Sequence, residues 1–152
     1  MPPLRCQLHL RVGADLIREP WDTAARAAAG ASAQALGLVD GALDLGHGDD
    51  ALCRADYWDH LDGLLLAWLE ATHALRTGAP DAVVTFPDTR IEAELTAGAA
   101  DIHVAYEDVD ATVAAQDLEA ALRAAARRLL DALGPATSNL RALAAHIDRE
   151  EP

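Results

Sequence analysis

An α+β fold, with an antiparallel sheet of about four strands and helices packed on one face, is what this sequence predicts. Three observations predict it. Short runs alternate apolar and polar residues at 4–12, 90–96 and 101–106. Two longer runs, 57–77 and 117–133, repeat leucine at spacings of three and four. Few residues separate the later alternating runs, and such short turns make neighbouring strands antiparallel.

The elements follow in order. Leu4, Cys6, Leu8, Leu10 and Val12 alternate with Arg5, Gln7, His9 and Arg11, the pattern of a half-buried strand that Gly13 ends. Residues 21–36 are alanine-rich, with Pro20 suited to a first turn and Asp22 or Thr23 as cap, so a helix is expected despite Gly30. Leu38 to Leu45 contains Val-Asp-Gly-Ala, read as a tight turn between very short strands, and residues 46–50 read as a loop. The clearest helix is expected from Tyr57 to Thr77, capped by Asp56, with Asp59 favoured in its first turn by the helix dipole. Leu61, Leu64, Leu65, Trp68, Leu69, Thr72 and Leu75 form its apolar stripe, and Gly78 and Pro80 stop it.

Ala82 to Phe86, Arg90 to Thr96 and Asp101 to Tyr106 read as three strands. The inward parity then switches to Val109, Ala111 and Val113, which calls for a bulge or turn near Glu107-Asp108. Asp117 to Leu133 is a second amphipathic helix, with Glu119–Arg123 and Arg127–Asp131 as supporting pairs. Gly134-Pro135 ends it, and Thr137 or Ser138 caps a last helix carrying Leu140, Leu143 and Ile147.

One domain over residues 1–152 is expected from length alone. The N-terminus has no signal-peptide pattern and no run is long enough to span a membrane, so a cytoplasmic location is expected. Cys6 and Cys53 are too few for a disulfide framework and read as two small buried thiols. Every basic residue except the histidines is arginine.

Charge is unevenly placed. Asp40 to Glu119 holds eighteen Asp or Glu against three Arg, a balance of −15, while the two ends together carry +2. A concentrated negative field attracts basic partners and repels nucleic acid. Arg123, Arg127 and Arg128 form the one basic cluster, with Asp131 and Glu119 close in sequence, so nucleic-acid binding is not expected.

Catalytic patterns are missing from the text. Ser32 and Ser138 lie in no Gly-x-Ser-x-Gly, there is no phosphate-binding glycine motif, and the absence of lysine excludes Schiff-base chemistry. His47, Asp49, Asp50, Asp59, His60 and Asp62 have metal-ligand chemistry but match no metal motif, and no metal or cofactor is expected. His73 and His146 read as surface or boundary positions. The remaining candidate is an acidic binding face. It comprises Asp49, Asp50, Asp56, Asp59 and Asp62 at the start of the long helix, and Glu92, Glu94, Glu107, Asp108 and Asp110 on the outward side of the sheet. Acids this close repel one another, and solubility alone needs no such clustering.

The stretch Leu64-Leu65-Leu66-Ala-Trp68-Leu69 runs on to His-Ala-Leu75-Arg-Thr-Gly78. After it come Arg90-Ile-Glu-Ala-Glu-Leu95, Asp101-Ile-His-Val-Ala-Tyr106 and Asp117-Leu-Glu-Ala-Ala-Leu122. This order of helix, strands and helix, from Tyr57 to Leu133, resembles small bacterial immunity proteins that neutralise secreted polymorphic toxins. The likeness covers half the chain and is one of pattern; residues 21–36 and the last helix fall outside it, and it transfers no functional residue. It implies a non-catalytic inhibitor that blocks a basic toxin or effector. Two other readings stand beside it: an acidic chaperone or adaptor, for which a homodimer is expected, and a metal-dependent hydrolase using the 47–62 carboxylates and histidines.

Overall fold

The alternating N-terminal run pairs at both of its edges. A computed structural model describes residues 4–56 and 59–150, with side chains through Asp148. Strand β1 (Leu4–Val12) turns at Gly13 (φ 64°) into β2 (Asp15–Arg18), a short strand that the sequence pattern did not announce. Helix α1 (Thr23–Leu36) is capped as expected: Asp22 accepts from the Ala25 N–H at 2.8 Å. It buries only Ala25, Ala29 and Ala33, so it sits close to the body but adds little apolar area.

Strand β3 (Asp40–His47) corrects the expected turn at 38–45. Asp40 and Gly41 lie inside one continuous strand, with Leu10 facing Gly41 and Leu8 facing Leu43. Gly41 is here because a Cβ would run into the His9 carbonyl, a close approach rather than a turn. The expected loop at 46–50 contracts to a two-residue turn, Gly48-Asp49, which leads into β4 (Asp50–Cys53).

The long helix starts later than expected. Tyr57 and Trp58 lie outside the described residues. Asp59 and His60 form β5, paired to Gly41 and Asp40, and α2 runs Leu61–Arg76. Asp56 therefore does not cap it, and His60 occupies the cap position. The register with β3 holds residues 59–60 extended, which overrides the helical signal of the acids there. All seven residues of the expected stripe are buried.

Strands β6 (Asp81–Thr85), β7 (Glu92–Ala97), β8 (Asp101–Tyr106) and β9 (Val109–Ala114) form a four-stranded antiparallel meander; the first three match the strands the sequence predicts, and β9 takes up the switched register of Val109, Ala111 and Val113. The parity switch is a two-residue hairpin, with Tyr106 opposite Val109 and Glu107 in the left-handed region (φ 49°). Helix α3 (Ala115–Leu133) follows directly, and α4 (Ser138–Glu150) is capped by Thr137, whose Oγ1 accepts from the Leu140 N–H at 3.0 Å.

There are thus two antiparallel sheets, not one: β2-β1-β3-β4 with β5 on β3, and β6-β7-β8-β9. They meet side by side at β4 and β9, where the Tyr106 hydroxyl donates to the Leu52 carbonyl. Helix α2 touches strands of both sheets, and so does α3, while α4 packs on α2 and α3. The core lies in this layer, around Trp68, Leu64, Leu65, Leu95, Val104 and Leu122.

Candidate functional site: an acidic seam

Alternation along the meander sorts its residues by face. Val84, Ala93, Leu95, Ile102, Val104, Ala111 and Val113 point into the core. The opposite face carries Asp81, Val83 and Thr85 on β6, Glu92, Glu94 and Thr96 on β7, Asp101, His103 and Ala105 on β8, and Asp110 and Thr112 on β9. Five of these are carboxylates and none is arginine. Asp81, Glu92, Glu94, Asp101 and Asp110 are exposed, as an open face allows.

The contact between β4 and β9 brings the two acidic segments of the sequence together. A groove of about 240 Å³ is lined by Asp49, Asp50, Ala51, Arg54, Asp108, Val109 and Asp110. A shallower hollow beside it, about 480 Å³, is lined by Glu92, Glu94, Ala105 and the turn from Tyr106 to Asp110. The two share Asp108, Val109 and Asp110, so one acidic surface runs from the β3–β4 turn across the seam onto the open face of the meander.

Neighbouring side chains answer only part of this charge. Arg54 pairs with Asp108 at 3.0 Å and Asp56 at 3.4 Å. His103 Nε2 lies 2.6 Å from Asp110 Oδ1. Among the described residues, Asp49, Asp50, Glu92, Glu94 and Glu107 make no ion pair. Arg90 is exposed in the loop just before Glu92.

Two residues of the expected binding set belong elsewhere. Asp59 and Asp62 are buried, at 3% and 0% exposure, and their carboxylates hold the fold together. Asp59 accepts from the Asp88 N–H at 2.8 Å and from the Thr89 hydroxyl at 3.3 Å. Asp62 accepts from the Val39 N–H at 3.1 Å and from the Thr137 hydroxyl at 2.6 Å. Helical position alone did not separate them from exposed acids, because their donors come from loops 23 to 75 residues away in sequence. Among the described residues no group of three or more His, Cys, Asp or Glu is arranged to hold a metal ion.

Other ionisable residues also take structural places. Glu119 does not pair along its helix with Arg123; it is buried against α2, where Arg76 donates to it at 2.8 Å and His73 lies 3.7 Å away. Arg123 donates instead to the Ile147 carbonyl. His146 is buried, not a surface residue, and its ring meets that of His73 edge to face at 5.3 Å. Arg128 clamps Glu19 with two donors at 2.9 Å and also reaches the Cys6 carbonyl. Burial pushes the Cys6 thiol up to about 12, the Arg128 charge offsetting part of it, and raises Cys53 as well. Both are therefore protonated thiols at neutral pH, poor nucleophiles.

No helix among the described residues is long and apolar enough to cross a membrane. No protein-family model, characterised protein or solved structure matches this chain.

Proposed function

We propose that the chain is a non-catalytic binding protein whose acidic seam docks a basic protein, in the manner of an immunity-type inhibitor that covers a toxin or effector. The observation that carries this reading is the set of five exposed carboxylates without an ion pair, gathered from two distant segments onto one surface. Holding like charges together costs free energy in the unbound protein, and a cationic partner relieves it. Such a surface speeds encounter with basic proteins and disfavours acidic ones. The order of elements between Tyr57 and Leu133, which resembles immunity proteins, supports the same role.

The test is isothermal titration of the protein against small basic toxin domains. A variant carrying Glu92→Lys, Glu94→Lys and Asp49→Lys provides the comparison. Charge reversal at three positions is expected to weaken binding by about a hundredfold or more. Raising salt above about 0.15 M, where the screening length is roughly 8 Å, is expected to weaken the wild type further. A reversed variant that binds as tightly as the wild type would remove the acidic seam from the interface.

A further inference from the structure

The open edge of the meander has a geometry that the acidic seam alone does not explain. In the β6–β7 ladder, Ala82 faces Leu95 and Val84 faces Ala93, with Val83 opposite Glu94 between them. The Ala97 N–H bonds the Pro80 carbonyl and the Phe86 N–H bonds the Ile91 carbonyl. These bonds fix the alternation: residues 80, 82, 84 and 86 turn their polar groups toward β7. Asp81, Val83 and Thr85 therefore turn theirs outward, where no described residue takes them.

Three N–H and three C=O groups stand in a row on an exposed strand. Edge strands are normally blunted by an internal proline, a bulge or a charge. Here Pro80 and Pro87 bracket the strand without entering it, Asp81 at its first position is its one charge, and Val83 at the centre is 52% exposed. In the first sheet the edge strand β2 has only four residues and carries Asp15 and Arg18 at its ends.

We propose that an extended segment of a basic protein adds to the meander beside β6, pairing with Asp81, Val83 and Thr85. This inference rests on the reading that the partner is basic, and charge selects the occupant. A strand added here places alternate side chains on the acidic face. One opposite Val83 is two strand spacings, about 10 Å, from Glu94, because Val83 and Glu94 are cross-strand partners; one opposite Thr85 stands in the same relation to Glu92. An arginine at such a position lays its stem over the exposed valine and brings its guanidinium to the glutamate beyond. Main-chain pairing supplies affinity and the alternate acids select the sequence. A second copy of this chain brings Asp81 and a net charge of −13 to the same edge, which the charge disfavours.

The probe is a labelled peptide alternating arginine and threonine, followed by fluorescence anisotropy at about 0.15 M salt. A second peptide of the same charge is N-methylated at every arginine amide, so no antiparallel register that places arginine on the acidic face can donate to β6. The protein variants are Val83→Pro and the pair Glu92→Gln with Glu94→Gln. The Val83 N–H points outward, so proline removes a docking donor without breaking the β6–β7 ladder. Val83→Pro and the methylated peptide are each expected to weaken binding about fivefold or more, the worth of roughly one hydrogen bond. The glutamine pair is expected to weaken both peptides.

Equal binding by Val83→Pro and by the methylated peptide overturns strand addition while leaving the acidic seam in place. No effect of the glutamine pair overturns the basic-partner reading itself. Failure of the unmethylated peptide to saturate by about 1 mM also overturns strand addition. Sedimentation of the protein alone decides the remaining occupant: a dimer that Val83→Pro dissociates assigns the edge to a second copy and overturns the proposal. If Val83→Pro lacks the wild-type melting transition, the methylated peptide decides by itself.

Discussion

Asp62 and Glu92 have the same charge and opposite fates, and the difference lies in which donors reach them. Asp62 opens α2 with no solvent exposure, yet its two oxygens receive the Val39 N–H and the Thr137 hydroxyl. Thr137 in turn caps α4, so one carboxylate ties the start of β3 and the start of the last helix to α2. Removing it leaves a buried N–H and a buried hydroxyl without their acceptor. Asp62→Ala is expected to lose about 3 kcal/mol of stability, with Asp62→Asn losing less because it keeps one acceptor. Urea denaturation followed by circular dichroism measures both, and an alanine variant as stable as the wild type would show that water replaces the carboxylate. Glu92 has no such donor, and its position on an outward strand face leaves it in water.

Elements settle where one backbone must pass another. The Asp-Gly pair at 40–41 has turn chemistry, yet β3 runs straight through it because its partners are already set: β1 on one edge, β5 and β4 on the other. At Gly41 the β1 backbone comes close. An added Cβ meets the His9 carbonyl and lies 3.1 Å from Leu61 Cδ2, so Gly41→Ala is expected to cost more than about 3 kcal/mol or to prevent folding. Gly30, inside α1, has nothing within 4 Å of such a Cβ. Gly30→Ala is expected to stabilise by about 0.5–1 kcal/mol through helix propensity. Thermal melts of the two variants check the pair: shifts in the same direction would show that backbone approach at Gly41 is not the reason for glycine there.

Across the whole molecule, charge and packing are arranged against each other. The neutralising arginines serve the body: Arg128 on Glu19, Arg76 on Glu119 and Arg5 on Asp44. The seam keeps one guanidinium, Arg54, within the groove lining. With a net charge of −13, repulsion among carboxylates opposes the folded state. Added sodium chloride screens it, so the urea midpoint is expected to rise between about 0.02 and 0.3 M salt, by up to about 1 kcal/mol in stability. A midpoint that falls with salt would mean that the three arginine pairs outweigh the repulsion.

Local pattern carried far in this chain. The stripe from Leu61 to Leu75, the alternation of the meander, the hairpin at Glu107-Asp108 and the caps Asp22 and Thr137 all follow from neighbours a few residues apart, which is the range over which period and capping act. Burial and pairing between distant segments do not obey that range. They divided the strands into two sheets, made β3 from a turn-like pair, delayed α2 to Leu61, and took Asp59 and Asp62 inside while leaving Asp49, Asp50, Glu92, Glu94 and Glu107 in solvent. The crowding of acids in the middle of the chain is already present in the order of its amino acids. The meeting of β4 with β9 alone decided that part of that crowd becomes one surface, because a carboxylate's neighbours in space are set by which strands lie side by side and not by its place along the chain.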